Sequence, residues 1–237
     1  MNSKDKKKVA FWDFDNTVWG AYSADQFLSY LYVSGVFSGP LRDQIQELVI
    51  QYSKDEIDYN TLCFRFGGLW GVGFWGLSVQ RVNEIAEELV NIEYNNCMHS
   101  STPVLIDLLK EKGYDNIIMS LGPSEVVERV GSRLGVDGIF SAKLTTSNGV
   151  YTGSLESTIH YIDGKKNCVR RIKDSGKYDW HRSMALGDSP NDIGMLEMVE
   201  IPIILNPTHN IEEVVEQYNW PVFDDENAVE GLRGILS

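Results

Sequence analysis

Two aspartates stand one residue apart in the stretch FWDFDNTV, Asp13 and Asp15, directly behind an apolar run. A carboxylate pair at the end of a buried strand is costly unless a cation neutralises it. The plain alternative is an exposed turn with solvated charges. Three more polar sites fall in comparable places. Ser120 ends NIIMS, with Gly122 two residues on. Lys165 and Lys166 open a helical pattern. Asp188 and Asp192 lie in GDSPND, behind SMAL. Such a set could handle a phosphomonoester. A nucleophile approaching an anion needs the repulsion cancelled, and Mg²⁺ suits a few carboxylates plus waters and phosphate oxygens. Asp13 and Asp188 can supply carboxylates. A lysine can neutralise the phosphoryl oxygens, and a serine hydroxyl with loop amides can orient them. Residues i and i+2 of a strand point the same way. Asp13 and Asp15 can therefore face one pocket, one attacking phosphorus, the other protonating the leaving oxygen and later activating water.

These residues meet only if the elements beneath them are arranged alike. KVAFWDFD reads as a short buried strand ending at the aspartates. From about 23 to 95 the pattern is helical: Leu41, Ile45, Leu48, Val49 and Tyr52 recur at helical spacing, as do Val79, Val82, Ile85, Ala86, Leu89 and Val90 behind Ser78 as N-cap. Then helices and strands alternate. Thr102-Pro103 opens a helix that Gly113 closes, and NIIMS is a strand. Residues 123–134 form a helix stopped by Gly135, and GIFSAKLTTSNGVYTG is a hairpin region turning at Asn148-Gly149. A helix from Lys165 to Lys173, the strand SMALGD, the helix NDIGMLEMV, the strand IPIIL, the helix NIEEVVEQY and a short strand PVF complete the series. The alternation predicts an α/β fold with a parallel, Rossmann-like sheet. The expected organisation is a core of residues 1–19 and 97–237 with a helical insert over 20–96. Parallel strands share one carboxyl edge, where open α/β sheets carry their ligand crevice.

Composition narrows the class. Of 237 residues, 21 are Lys or Arg and 34 Asp or Glu, a net charge of −13 that repels nucleic-acid backbones. No apolar run reaches the ~18 residues that span a bilayer, so no membrane partner is expected. Residues 1–7 read as a frayed tail rather than a signal peptide. Cys63, Cys97 and Cys168 fit neither a disulfide framework nor a zinc site, which points to a reducing cytoplasm. No G-x-x-x-x-G-K-S/T run supports a P-loop nucleotide enzyme.

DFDNTV, SLG, a helix-opening lysine and GDSPND, in this order, resemble the four motifs of the haloacid dehalogenase superfamily of phosphohydrolases. The insert after the first motif resembles the cap of its phosphoserine-phosphatase-like branch. The resemblance spans about residues 9–205, the cap by position rather than by motif. It implies that Asp13 is the nucleophile, becoming an aspartyl phosphate. Asp15 is the acid/base, its backbone carbonyl helping to hold Mg²⁺, and Thr17 orients the loop. Ser120 binds the phosphoryl group with amide support from the Leu121–Gly122 segment. Asp188 binds the metal, and Asp192 supports the metal or the lysine. Lys165 is the preferred lysine, because Cys168, Val169 and Ile172 then form the buried stripe of its helix; Lys166 is the fallback. Two departures from phosphoserine phosphatases stand out. VWGAYSAD lacks the glutamate that would hold a substrate amine, and the second motif reads Ser-Leu-Gly rather than Ser-Gly-Gly.

The expected function is Mg²⁺-dependent hydrolysis of a small-molecule phosphomonoester. A phosphotransferase with the same pocket and a non-catalytic phospholigand-binding protein are the rivals, and a homodimer is left open. In FRFGGLWGVGFWG the rings Phe64, Phe66, Trp70, Phe74 and Trp75 are read as packing in the insert or in a dimer contact. A substrate lid, an ammonium cage and an anion-seeking Arg65 are the rival readings. His99, His160, His181 and His209 show no metal-ligand spacing, and Cys97 with His99 is not read as a catalytic pair.

Overall fold

The computed structural model describes residues 6–156, 163–208 and 211–237. The chain opens with β1 (Lys8–Trp12), followed by four helices, α1 (Ser23–Val33), α2 (Gly39–Ser53), α3 (Tyr59–Phe74) and α4 (Val79–Cys97). The α/β part continues with α5 (Ser101–Glu111), β2 (Tyr114–Pro123), α6 (Ser124–Leu134), β3 (Gly138–Ala142), β4 (Leu144–Ser147), β5 (Val150–Leu155) and α7 (Gly164–Asp174). After it come β6 (Met184–Gly187), a 3₁₀ turn (Pro190–Asp192), α8 (Ile193–Leu196), β7 (Ile201–Leu205), α9 (Glu212–Tyr218), β8 (Val222–Phe223) and α10 (Ala228–Leu236).

Six of these strands form one sheet in the order β3-β2-β1-β6-β7-β8, every described pairing parallel. This is the α/β, Rossmann-like class expected. Helices on both faces explain why the strands are apolar throughout rather than alternating. Along β1, Ala10 and Trp12 join one core cluster while Val9 and Phe11 join the other, all fully buried. Because β1 lies centrally, between β2 and β6, the segments leaving the carboxyl ends of all three are neighbours.

Several elements differ from expectation, each for a local reason. The predicted hairpin region divides: 138–142 extends the main sheet beside β2, and only β4 and β5 pair antiparallel. Their turn is Asn148-Gly149, with φ of 51° and 78°, the left-handed pair that a tight hairpin requires. The helix expected over NDIGMLEMV contracts to the 3₁₀ turn plus α8, because Ser189 and Asp192 form a capping box that holds the first turn tight. The helix α10 was not expected. Its preceding loop supplies Asp225, whose carboxylate accepts from the Ser100 and Ser101 amides at 3.0 and 2.8 Å and so caps α5 from 124 residues away. Burial opposes ionisation of Asp225, but these bonds hold it down to about 2. Of the residues 1–7 expected to fray, Lys7 is bonded into the fold. Residues 1–5 lie outside the described residues, while the Lys7 carbonyl accepts from Asp179 N at 2.9 Å.

The four helices between β1 and α5 share an aromatic centre. Phe27, Phe37, Trp70 and Phe74 are at most 5% exposed, and Phe66 stacks on Trp70 with centroids 5.5 Å apart. Thus FRFGGLWGVGFWG splits by helical face: Phe66, Trp70 and Phe74 pack inward, while Phe64 and Trp75 are exposed. Arg65 points outward and donates to Gln51 at 3.3 Å. The glycines of this run admit close neighbours. A Cβ on Gly71 would strike the Gly153 carbonyl of β5, whereas one on Gly68 would meet nothing. Backbone bonds from Gly76 N to Tyr151 O, Tyr151 N to Leu77 O and Val79 N to Gly149 O fasten the hairpin beside α3 and α4.

Candidate active site

The first cluster gathers at the carboxyl edge of β1 and β6. Asp13 directly follows β1 and is 6% exposed; Asp188 directly follows β6 and is 3% exposed. Asp192, fully buried, reaches back from the 3₁₀ turn. Oxygens of these three carboxylates lie within 4.8 Å of one another. Lys165, in the first turn of α7, donates to Asp13 and, at 2.7 Å, to Asp192. Lys166 turns outward, 3.8 Å from Glu197 near the surface.

Asp192 does two jobs at once. Its Oδ1 holds Lys165, and its Oδ2 accepts from Asp188 N at 3.2 Å and from Ser189 N and Oγ at 3.3 Å. This requires Asp192 to pack on the bare backbone of Gly187, where an added Cβ would stand 2.6 Å from the Asp192 Cβ. Glycine at 187, opposite Asp192 at the other end of GDSPND, therefore has a steric reason. Thr17, fully buried, donates to Asp188 Oδ1 at 3.4 Å, and Thr208 donates through N and Oγ1 to the Asp188 carbonyl. Thr208 escaped sequence reasoning, because it follows β7 in a segment without any motif spacing.

Asp15 is half-buried and is bonded to α1 rather than to Lys165. Its Oδ1 accepts from the amide of Ser23, the first residue of α1, at 2.9 Å. A carboxylate at a helix N-terminus is favourably placed by the helix dipole. On the neighbouring strand, Ser120 is buried within an irregular stretch of β2 between Met119 and Pro123. Its Oγ accepts from Gly122 N at 2.8 Å, and Leu121 between them is half-buried.

The electrostatics follow from crowding. Four carboxylates, Asp13, Asp15, Asp188 and Asp192, face one ammonium, Lys165, a balance of −4 + 1 = −3 if all ionise. Burial, then repulsion from Asp192, pushes Asp13 up to about 6, although Lys165 pulls the other way. Burial raises Asp15 to about 7 against the Ser23 amide. Burial, then Asp13 and Asp192, raises Asp188 to about 9. Burial also disfavours the Lys165 ammonium, yet Asp13 and Asp192 overcome it and hold the pKa above its ordinary value. Such a surplus of buried acids suits a hard cation with oxygen ligands, and the donor set fits Mg²⁺.

The remaining sequence candidates fall elsewhere. His99 Nε2 lies 3.0 Å from the Asn16 carbonyl, while Cys97 Sγ accepts from Gln26 at 3.2 Å, so the two are separately engaged. His181 sits at the exposed surface beside Glu200. His160 and His209 lie outside the described residues. The three cysteines are unbridged, and among the described residues no helix is long and apolar enough to cross a membrane.

Comparison with known proteins agrees with this geometry. A family model described as haloacid dehalogenase-like hydrolase matches residues 10–197. The chain is 28% identical over 223 residues to the "Inhibition of morphological differentiation protein" of Streptomyces azureus, covering 92% of this chain and 78% of that one. It is 25% identical over 231 residues to the "Phosphoserine phosphatase SerB1" of Mycobacterium tuberculosis, covering 97% and 74%. A solved structure described as a phospho-aspartyl intermediate analogue of phosphoserine phosphatase shares the fold, with a TM-score of 0.66 at 18% identity, over 93% of this chain and 94% of that one. With the acids of two adjacent strand ends gathered around one buried lysine, and the match running through both, the chain belongs to the haloacid dehalogenase-like hydrolase family.

Proposed function

We propose that this hydrolase is a Mg²⁺-dependent phosphatase of a small-molecule phosphomonoester, working through an aspartyl phosphate on Asp13. The observation that carries the reading is Lys165 held between Asp13 and Asp192 beside Asp188. A lysine ammonium held beside a nucleophilic carboxylate offsets the charge of an anionic substrate approaching it.

In this reading Asp13 attacks phosphorus, and Lys165 and Ser120 bind phosphoryl oxygens. Asp15, whose raised pKa keeps a proton available near neutrality, delivers it to the leaving oxygen and then takes one from the attacking water. Asp13 and Asp188, with the Asp15 carbonyl, would hold Mg²⁺, which supplies charge neutralisation for the incoming phosphoryl group. Asp192 keeps Lys165 and the Asp188 loop in place, and Thr17 orients Asp188. Residues 20–96 act as a cap over a core of 1–19 and 97–237. Support for a cap comes from Asp15 bonding to α1, and from Tyr59 and Cys63 of α3 lying close enough to feel the Lys165 charge. A near-closed site, with Asp13 at 6% and Ser120 at 1% exposure, favours a small leaving group over a macromolecule. Unbridged cysteines suit a reducing cytoplasm.

The test is a broad phosphomonoester panel with Mg²⁺, run beside Asp13→Asn. Phosphate release by wild type and loss of at least ~10²-fold in the variant is expected. Equal turnover by both proteins would remove Asp13 as nucleophile. A new phosphoester formed from an added alcohol, in place of free phosphate, would reassign the chain as a phosphotransferase.

A further inference from the structure

Ser23 is a residue that no motif marks. It opens α1, is fully buried, and its Oγ makes no well-formed hydrogen bond, only a loose approach to the Asp15 carboxylate. Buried hydroxyls nearly always find one, so an orphan calls for an explanation. Its surroundings supply it. The Ser23 amide holds Asp15 Oδ1 at 2.9 Å. The hydroxyl lies against the bare Cα of Gly122, where an added Cβ would run into it and would also stand 3.0 Å from Ser120 Oγ. The two serine hydroxyls thus flank one glycine. Ser120 Oγ already accepts from Gly122 N, while the proton of Ser23 Oγ has no well-formed bond.

We propose that Ser23 is a further phosphoryl-contacting residue, whose hydroxyl donates a hydrogen bond to an oxygen of the bound phosphoryl group beside Ser120. The inference rests on the phosphatase reading above. One residue then performs two tasks: its amide sets Asp15, and its hydroxyl meets the group that Asp15 serves. Gly122 is required as glycine because a side chain there would fill the place of the Ser23 hydroxyl. Since Ser23 begins the first helix after β1, docking of that helix brings both contacts to the strand edge together.

The orphan hydroxyl also separates this role from a structural one. A buried polar group without a partner lowers stability until a ligand satisfies it. Ser23→Ala should therefore hold or raise the melting temperature of the unliganded protein while weakening anion binding. The experiment titrates Mg²⁺-loaded protein with inorganic phosphate by calorimetry, for wild type, Ser23→Ala and Ser23→Cys, with melting temperature and Mg²⁺ affinity measured in parallel. The expected result is phosphate affinity about 10-fold weaker in Ser23→Ala, a smaller loss in Ser23→Cys, and Mg²⁺ affinity unchanged. Equal phosphate affinity in wild type and Ser23→Ala overturns the proposal. So does a fall in melting temperature and Mg²⁺ affinity alongside phosphate affinity, because that marks a packing role. If wild type hydrolyses phosphomonoesters and the two affinities are equal, only the Ser23 assignment fails. If wild type neither binds phosphate nor releases it from any ester, the phosphatase reading fails and Ser23 falls with it.

Discussion

Replacing Asp188 with asparagine removes the carboxylate that its neighbours most oppose. Its pKa rises from an ordinary 3.8 to about 9 through burial and repulsion from Asp13 and Asp192. Over that interval the folded chain keeps a proton that the unfolded chain has lost. The stability belonging to this group is therefore fully present below about pH 4 and drains away as pH rises through about 9. Taken alone, the shift would be worth ~7 kcal/mol at 1.36 kcal/mol per unit. Much of the repulsion is shared with Asp13 and Asp192, and neutralising one acid relieves all three. We therefore expect metal-free Asp188→Asn to be more stable than metal-free wild type by roughly 3 kcal/mol near pH 8, in the range seen when poorly compensated buried charges are removed. For a chain of this size that is a rise of about 6–12 °C in melting temperature. The assay is thermal unfolding by circular dichroism in chelator, across about pH 5 to about pH 8.5, repeated with saturating Mg²⁺. Wild type should lose stability with rising pH in chelator and recover it with Mg²⁺ by mass action. The variant should show a shallower pH slope, little response to Mg²⁺, and no turnover. A metal-free wild type whose melting temperature is flat or rising over this range would show that Asp188 is not held protonated by its surroundings. An Asp188→Asn protein with the wild-type slope would do the same.

Other expectations are as direct. Lys165→Ala should reduce turnover at least ~10²-fold, whereas Lys166→Ala, which loses only a surface contact 3.8 Å from Glu197, should stay near wild type; steady-state kinetics of the pair decides. Gly71→Ala should destabilise by ~1–3 kcal/mol, since its Cβ strikes the Gly153 carbonyl. Gly68→Ala, three residues earlier on the same helix but facing open space, should stabilise by up to ~1 kcal/mol. Urea unfolding of both tests the close approach of α3 and β5. Phe74→Ala should cost about 3–5 kcal/mol by opening a void at the centre of the aromatic cluster, while Trp75→Ala, at a position 74% exposed, should cost under ~1 kcal/mol.

What the sequence determined by itself was local chemistry and the order of elements. Apolar KVAFW ending at Asp13, MALG ending at Asp188, and helical spacing over 23–95 specify strands, helices and a parallel sheet, because periodicity and strand-end polarity are short-range properties. The stripe Cys168, Val169 and Ile172 made Lys165 the preferred lysine and left Lys166 as the fallback. The tertiary structure decided what depends on distant partners. Which hairpin strand joins the sheet, the capping of α5 by Asp225, and the division of one aromatic run into buried Trp70 and exposed Trp75 all turn on packing that spacing does not encode. Ser23 shows the limit most plainly. In VWGAYSAD it is an ordinary small polar residue, and only the meeting of α1 with the carboxyl end of β2 turns its hydroxyl into a buried donor without a well-formed bond. Burial and hydrogen-bond satisfaction are properties of the assembled core, so no reading of one segment contains them.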